Sequence, residues 1–506
     1  MLERLKSTVR DTFVYSLSNI APKVIGIVLL PLYTKKLLLN DFGNWDLIDN
    51  IIQILAGTII LGQASSLIFL NNSKEYNQQK RTALFTLTVF VLGVSLILVV
   101  VTEFFAFKYA PFFEHAQIKA EYLRLISYIV FFKVLNNLFL AKIRAEEESV
   151  FYSSVSIAGT FLLMLLTIYL VAFKDQGING ILTASLIVEI LTTVVLLIKI
   201  IPQFKMRFSF PLLIIALKFG VPLVFSAVGF LLLNQSDRFV IKYLLGSKYV
   251  ALYGLGYRVA GVLNMFLVLP FSLGLLPIAY KYYGQPDDTR FFSKLMTYST
   301  FFFVWGFVFL SLFSKEIIKV FAQQNDYYSA YLVIPIILLS YVFSGMRLTA
   351  SLGMMLTKNT KHVAWITLAS SALNIVLNFI FIPKYGIMAA AINTLVAFVI
   401  FHIVSQFLSN KYFRIEFENS KLFLMIVIGV ALASPIYLLP EMNKIFLWSI
   451  KFLLTILFPL VLYIFNFYEK AELEILTSPA RISDFIKGIL KGAGKSSPDS
   501  GMVGRV

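Results

Sequence analysis

From residue 12 to about 468, apolar runs of about twenty residues alternate with short polar connections. The runs fall near 12–34, 46–70, 83–107, 120–141, 150–173, 180–200, 212–236, 249–280, 295–314, 331–356, 362–382, 387–409, 422–440 and 445–467. A bilayer core takes roughly 20 helical residues. The pattern therefore predicts an all-α polytopic membrane protein of about 14 transmembrane helices. The second and eighth segments begin with polar residues. The first is too long for a signal-peptide core and is expected to stay in the mature chain.

Lysine and arginine are roughly twice as frequent in one alternate set of connections as in the other, which places both termini in the cytoplasm. No connection is long enough to be a domain. After the last run, SPARISDFIKGILKG (478–492) opens with Ser478 as a cap and Pro479 at the first helical position. Ile482, Phe485, Ile486, Ile489 and Leu490 then share one face. Two readings fit: a helix lying on the inner leaflet, or one packed on cytoplasmic loops. The tail beyond it has the composition of a disordered segment.

Two stretches repeat. KKLLLNDFGNWDLIDNIIQILAG (35–57) parallels IKYLLGSKYVALYGLGYRVAGVLN (241–264), and QGINGILTAS (176–185) parallels YGIMAAAINT (385–394) at nearly the same offset. This predicts two pseudo-symmetric six-helix bundles, 1–205 and 206–410, around a central cavity. Helices 13 and 14 (411–468) are appended, followed by a cytoplasmic segment (469–506). An even number of helices per half gives both the same orientation, so their axis runs along the membrane normal. Polar stripes mark the faces turned from lipid: Asp46, Asn50, Gln53 and Gly57 in helix 2, and Tyr253, Tyr257, Gly261 and Asn264 in helix 8. Ser16, Asn19 and Lys23 do the same in helix 1. Such a stripe lines a cavity or bonds to a neighbouring helix.

Composition sharpens the class. The chain is 58% hydrophobic and only 14% charged, where a soluble domain would be nearer a quarter charged. It has no cysteine, hence no disulfide or thiolate, and its three histidines (His115, His362, His402) are widely separated. The net charge of +17 has no soluble domain through which to meet nucleic acid. Part of it lies within the apolar runs, as Lys23, Arg124, Lys133, Lys218, Arg258, Arg347 and Lys451. Arg124, Lys218 and Lys451 are close enough to helix ends to snorkel. Lys23, Lys133, Arg258 and Arg347 are deeper, where a charge costs roughly 3 kcal/mol on insertion scales. Glu189 is the main deep acid, with Asp46, Asp49, Glu103 and Asp237 nearer the ends. Surplus cations in a cavity suit an anion, phosphate above all; for Lys23 the alternative is an ion pair with Glu189 or Asp237.

NQSDRFVIKYLLGSKYVALYGLGYRVAGVL (234–263), with DFGNWDLIDNI (41–51) and KYGIMAAAINT (384–394), resembles the polysaccharide-transporter branch of the multidrug/oligosaccharidyl-lipid/polysaccharide exporter superfamily, which includes Wzx-type O-antigen flippases. The resemblance covers about residues 5–470. It implies a V-shaped cavity, alternating access and a polyprenyl-pyrophosphate-linked oligosaccharide as cargo, moved across a bacterial inner membrane. Lipid II flippases of that superfamily hold the pyrophosphate with arginines in helices 1, 2 and 8. The counterparts here are Lys23 and Arg258, while helix 2 carries Asp46 and Asp49 and no arginine. A third cation then falls to Lys133 or Arg347. A monomer without cofactor is expected, with membrane lipids around it and a polymerase or glycosyltransferases of the same pathway as partners. Drive would come from an H⁺ or Na⁺ gradient or the membrane potential, with Glu189 or Asp237 the carboxylate that couples to it.

Two other readings stay open. A cation-coupled drug antiporter of the sister branch needs deep acids, and here deep cations outnumber them. A membrane glycosyltransferase or polymerase needs paired carboxylates beside a long loop.

Overall fold

The computed structural model describes residues 18, 20–108, 120–434, 443–465 and 467–469. The tail helix expected at 478–492, and Asn19, lie outside the described residues. All regular structure among those described is helical. The first crossing is α1 (20–28) with α2 (Leu30–Lys36). The second is α3 (Leu39–Ile59) with α4 (Gln63–Asn72). Then come α5 (Lys80–Lys108), α6 (Ala120–Ala145), α7 (Ser149–Thr167) and α8 (Gly177–Ile200). The second half opens with α9 (Phe210–Leu245), α10 (Ser247–Leu263) and its continuation α11 (Leu269–Tyr282), and α12 (Asp288–Leu312). A short α13 (Ser314–Phe321) precedes α14 (Ile334–Ala350) and α15 (Leu352–Leu356). The last three are α16 (Lys361–Ser409), α17 (Asn419–Ala433) and α18 (Lys444–Ile464).

Ten of these helical stretches are long and apolar enough to cross a membrane, or eleven counting α3 with α4 as one bent span. The 49 residues of α16 would measure about 74 Å as one helix, far more than a bilayer core. Gly386, at φ 63° and ψ −148°, breaks it into two. The expected count of 14 further needs the incompletely described first crossing and the 15-residue α17.

Two expected boundaries are corrected. The second crossing is not one straight helix, because Leu61 (φ 47°) and Gly62 (φ 71°) bend it by 42°. α9 does not end near residue 236; it runs on to Leu245 and stops at Gly246, whose φ of 94° suits glycine. Arg238 is therefore a buried side chain on a helix and not part of a connection.

The two halves of the chain meet where residues 34–37 bond to residues 321–327, as in the Tyr327 hydroxyl donating to the Leu37 carbonyl at 3.3 Å, and at two close approaches on the second crossing. A Cβ on Gly43 would lie 2.0 Å from the Ser247 carbonyl oxygen, so α3 and α10 touch backbone to backbone. A Cβ on Gly62 would lie 2.2 Å from the Gly220 carbonyl oxygen, and Ser66 Oγ donates to the Ala216 carbonyl at 2.7 Å. α3 thus packs on α10, and α4 on α9.

Side-chain contacts between connections respect the expected topology. Lys36 pairs with Asp175 at 2.7 Å, Arg81 donates to the carbonyls of Pro202 and Gln203, and Lys294 pairs with Glu418 at 2.8 Å. Lys451, expected to snorkel, is instead buried and bound to Glu316 of α13 at 2.6 Å, because α18 packs on α12 beside that short helix. Arg124 pairs with Glu103 at 3.1 Å.

The expected orientation makes a direct prediction: an alkaline phosphatase fusion in the 281–294 connection should be inactive, because that orientation puts the connection in the cytoplasm. An active fusion there overturns the orientation and the duplication together.

Candidate functional site

A cavity of about 770 Å³ lies between the halves. Its walls carry nine of the residues singled out from sequence: Lys23, Asp46, Asn50, Gln53, Lys133, Glu189, Tyr257, Arg258 and Asn264. Asn264 opens a π-helical turn (Asn264–Val268) that joins α10 to α11, the kind of local widening that re-aims side chains at functional positions.

Helix α3 presents the central group. Asp46 is 1% exposed and accepts from two arginines of the other half. Arg238 Nε donates to Oδ2 at 2.8 Å, and Arg258 Nε donates to Oδ1 at 2.9 Å. Arg258 also reaches Asp49 at 3.0 Å and lies 4.4 Å above the Trp45 ring. Arg238 packs 4.4 Å from the Tyr257 ring and donates to the Asn234 carbonyl at 3.0 Å. Arg258 is thus a cavity cation already engaged by two carboxylates, not a free ligand waiting for an anion. Arg238 was missed because the apolar run was closed at residue 236. The continuing FVIKYLLG pattern, ending on glycine, was the signal that it lay on a helix.

Across the cavity, Lys133 of α6 pairs with Glu189 of α8 at 3.3 Å. Asn136 donates to Glu189 Oε2 at 2.7 Å and accepts from Thr193 at 2.8 Å. The deep acid of the first half is thereby spent on Lys133. Lys23 keeps no carboxylate partner among the described residues. It faces the cavity from α1, beside Gly26, where an added Cβ would meet nothing within 4 Å. The described cavity wall holds four basic and three acidic side chains, and the unmatched charge is Lys23.

Three expected cavity residues are elsewhere. Tyr253 turns away from the cavity and donates to Asp237 at 2.5 Å. Asp237 is fully buried and also accepts from Thr394 at 2.7 Å and Asn378 at 2.7 Å. Asn378 donates in addition to Asn374 at 3.1 Å and accepts from Asn393 at 3.0 Å. No cation pairs with Asp237 among the described residues, so its carboxylate is held by neutral donors alone. That makes it suited to taking up a proton or a small hard cation with oxygen ligands. Arg347 is buried within the second half, out of the cavity, because α14 turns it toward α16 and the Phe401 ring.

Residues 8–283 match the family described as polysaccharide biosynthesis protein. The chain belongs to that family. Residues 222–380 match the MatE family. An uncharacterized membrane protein of Methanocaldococcus jannaschii is 25% identical to this family member over 304 residues, 57% of this chain; the chain spans 58% of that relative's length. Among solved structures, the lipid II flippase MurJ in an inward closed conformation superposes with a TM-score of 0.72 at 17% identity, covering 90% of this chain and 100% of that one. An inward-facing multidrug resistance MATE family transporter of the MOP superfamily gives 0.61 at 16%, covering 78% and 94%. The fold is the one these transporters use. The chain is a multi-pass membrane protein of the polysaccharide biosynthesis family.

The Asp46 pairs should dominate the stability of the seam. Asp46→Ala leaves two arginines without their carboxylate, and breaking a buried pair costs about 3–5 kcal/mol. Thermal unfolding of the purified variant should show a clear loss, while Lys23→Ala, which strands nothing, should unfold like the parent.

Proposed function

We propose that this protein flips a polyprenyl-pyrophosphate-linked oligosaccharide, a precursor of O-antigen, capsule or exopolysaccharide, from the cytoplasmic to the periplasmic leaflet of a bacterial inner membrane. The observation that carries the proposal is Lys23, a cavity lysine without an acid partner among the described residues. Its charge is available to the anionic head of a cargo that enters between the halves. The arginines at Asp46 and the lysine at Glu189 sit in carboxylate pairs, and a pyrophosphate oxygen offers each of them an equivalent partner. The polyprenyl tail stays in the bilayer through a lateral gap while the head crosses through the cavity. No covalent step is required.

Coupling is assigned to Asp237, and second to Glu189. A proton or Na⁺ taken up by Asp237 would neutralise a buried carboxylate on the same helix as Arg238, and so act on the seam at Asp46. A cation-coupled drug antiporter is the second reading, since the Asp237 cluster would serve it equally well. The cavity's unmatched positive charge favours an anionic cargo over a cationic drug.

Lys23→Ala should weaken binding of a lipid-linked pyrophosphate by about tenfold to a hundredfold, since one charge-assisted contact is worth roughly 1.5–3 kcal/mol. Lys23→Arg should keep more activity than Lys23→Gln. Unchanged binding by Lys23→Ala in protein of normal stability refutes the cationic cavity. Binding of a cationic drug in preference to the lipid pyrophosphate would select the antiporter instead.

Glu189→Gln keeps the amide contacts but frees Lys133. It should slow transport, or shift its pH dependence, more than it lowers abundance. Equal losses of protein and transport would make Glu189 a structural partner only.

A further inference from the structure

Arg347 is the basic side chain that the cavity leaves unexplained. It is 8% exposed, and among the described residues its guanidinium makes neither an ion pair nor a hydrogen bond. Its Nε is buried without a partner. What it has are two rings: Phe401 with its centroid 4.6 Å away, and Phe230 at 5.5 Å. Ring faces offset only part of the cost of a desolvated cation.

The two rings differ in what lies behind them. Phe401 is fully buried in the second half of the chain. Phe230 is 38% exposed and forms part of the cavity wall. It stands on the face of α9 that carries the cavity's polar groups. Asn234 Nδ2 donates to the Phe230 carbonyl at 2.7 Å, and Arg238 Nη1 donates to the Asn234 carbonyl at 3.0 Å. Eight residues of helix set Phe230 about 12 Å from Arg238 along the crossing, on the cytoplasmic side in the expected orientation. Of the two rings that meet the unpaired arginine, Phe230 is the one that also lines the cavity.

We propose that Arg347 is a second anion ligand of the cavity, screened by the Phe230 ring, which turns aside to let a pyrophosphate reach the guanidinium. The inference rests on the flippase reading and deepens it. A carboxylate at this position would hold the arginine permanently. An aromatic face is a weaker partner, and a phosphate oxygen displaces it by forming charge-assisted hydrogen bonds. Arg347 is then met before the arginines at Asp46 by a head group arriving from the cytoplasm. The cavity thereby offers a lower cationic station, of Lys23 and Arg347, and an upper one, of Arg238 and Arg258.

The test is a double-variant cycle on the full chain, with a polyprenyl diphosphate carrying no sugar as the probe. Phe230→Ala removes the screen and should tighten binding by about tenfold. Arg347→Gln in the Phe230→Ala background should abolish that gain, and alone it should weaken binding several-fold. Arg347→Gln should also unfold no earlier than the parent, since no acid is stranded. If Phe230→Ala is poorly folded, Phe230→Leu serves, with a smaller gain expected. Unchanged affinity in the Phe230 variants, a gain that survives Arg347→Gln, or a marked loss of stability in Arg347→Gln overturns the proposal. Lys23→Ala in the same assay keeps the two readings apart. Weakened binding there with no Phe230 effect leaves the flippase standing and removes only the screened arginine.

Discussion

Asp46 is the point on which the two halves depend. One carboxylate, almost without solvent contact, accepts from Arg238 on α9 and Arg258 on α10. Neither arginine could be left in this setting without an acid, and Asp46 could not be left without them. Close approach of the backbones follows from it. α10 passes so near that a Cβ on Gly254 would lie 2.6 Å from Asp46 Oδ2, and Gly43 meets Ser247 one turn beyond. Around this core Trp45 and Tyr257 cover the guanidinium faces, so the seam combines ion pairs with aromatic packing.

Two kinds of cation result. Arg238, Arg258 and Lys133 are bound to carboxylates and hold elements together, while Lys23 has open space in front of it. Fixed pairs give structure, and an unmatched charge gives affinity for something absent from the chain. In the proposed cycle the distinction is not permanent. A pyrophosphate carries the same oxygen acceptors as Asp46 and Asp49, so a cargo can exchange places with them at Arg258. Attraction of cargo and release of the seam then become one event.

Much of the fold was legible because hydrophobic length is a strong signal and lipid forbids unsatisfied backbone. Lys23 was legible for the same reason, a single charge standing in an apolar run. The bend at Leu61 and Gly62 was not, since a lone glycine inside an apolar run is also tolerated in a straight helix. Arg347 and Tyr253 were misplaced because depth along a helix can be read from sequence, but the neighbour a residue faces cannot. Tyr253 shares the i, i+4 stripe with Tyr257, yet the carboxylate of Asp237 draws its hydroxyl inward. The partner of Arg258 lies some 210 residues away. Only packing of the halves brings them together, and no local pattern encodes it.

The second crossing unites these features. Its upper part, α3, is held to the other half by ion pairs; its lower part, α4, is held by the Gly62 and Gly220 backbones and by Ser66 on the Ala216 carbonyl. The bend lies between the two, so one contact can be lost while the other persists. They differ in what can undo them. An anion competes for arginines and has no purchase on a glycine backbone contact. On the proposed function, a negatively charged head group in the cavity would weaken the upper seam selectively, away from the side on which the expected orientation admits it. Placing charge at one seam and bare backbone at the other gives a two-ended strut a preferred direction of opening.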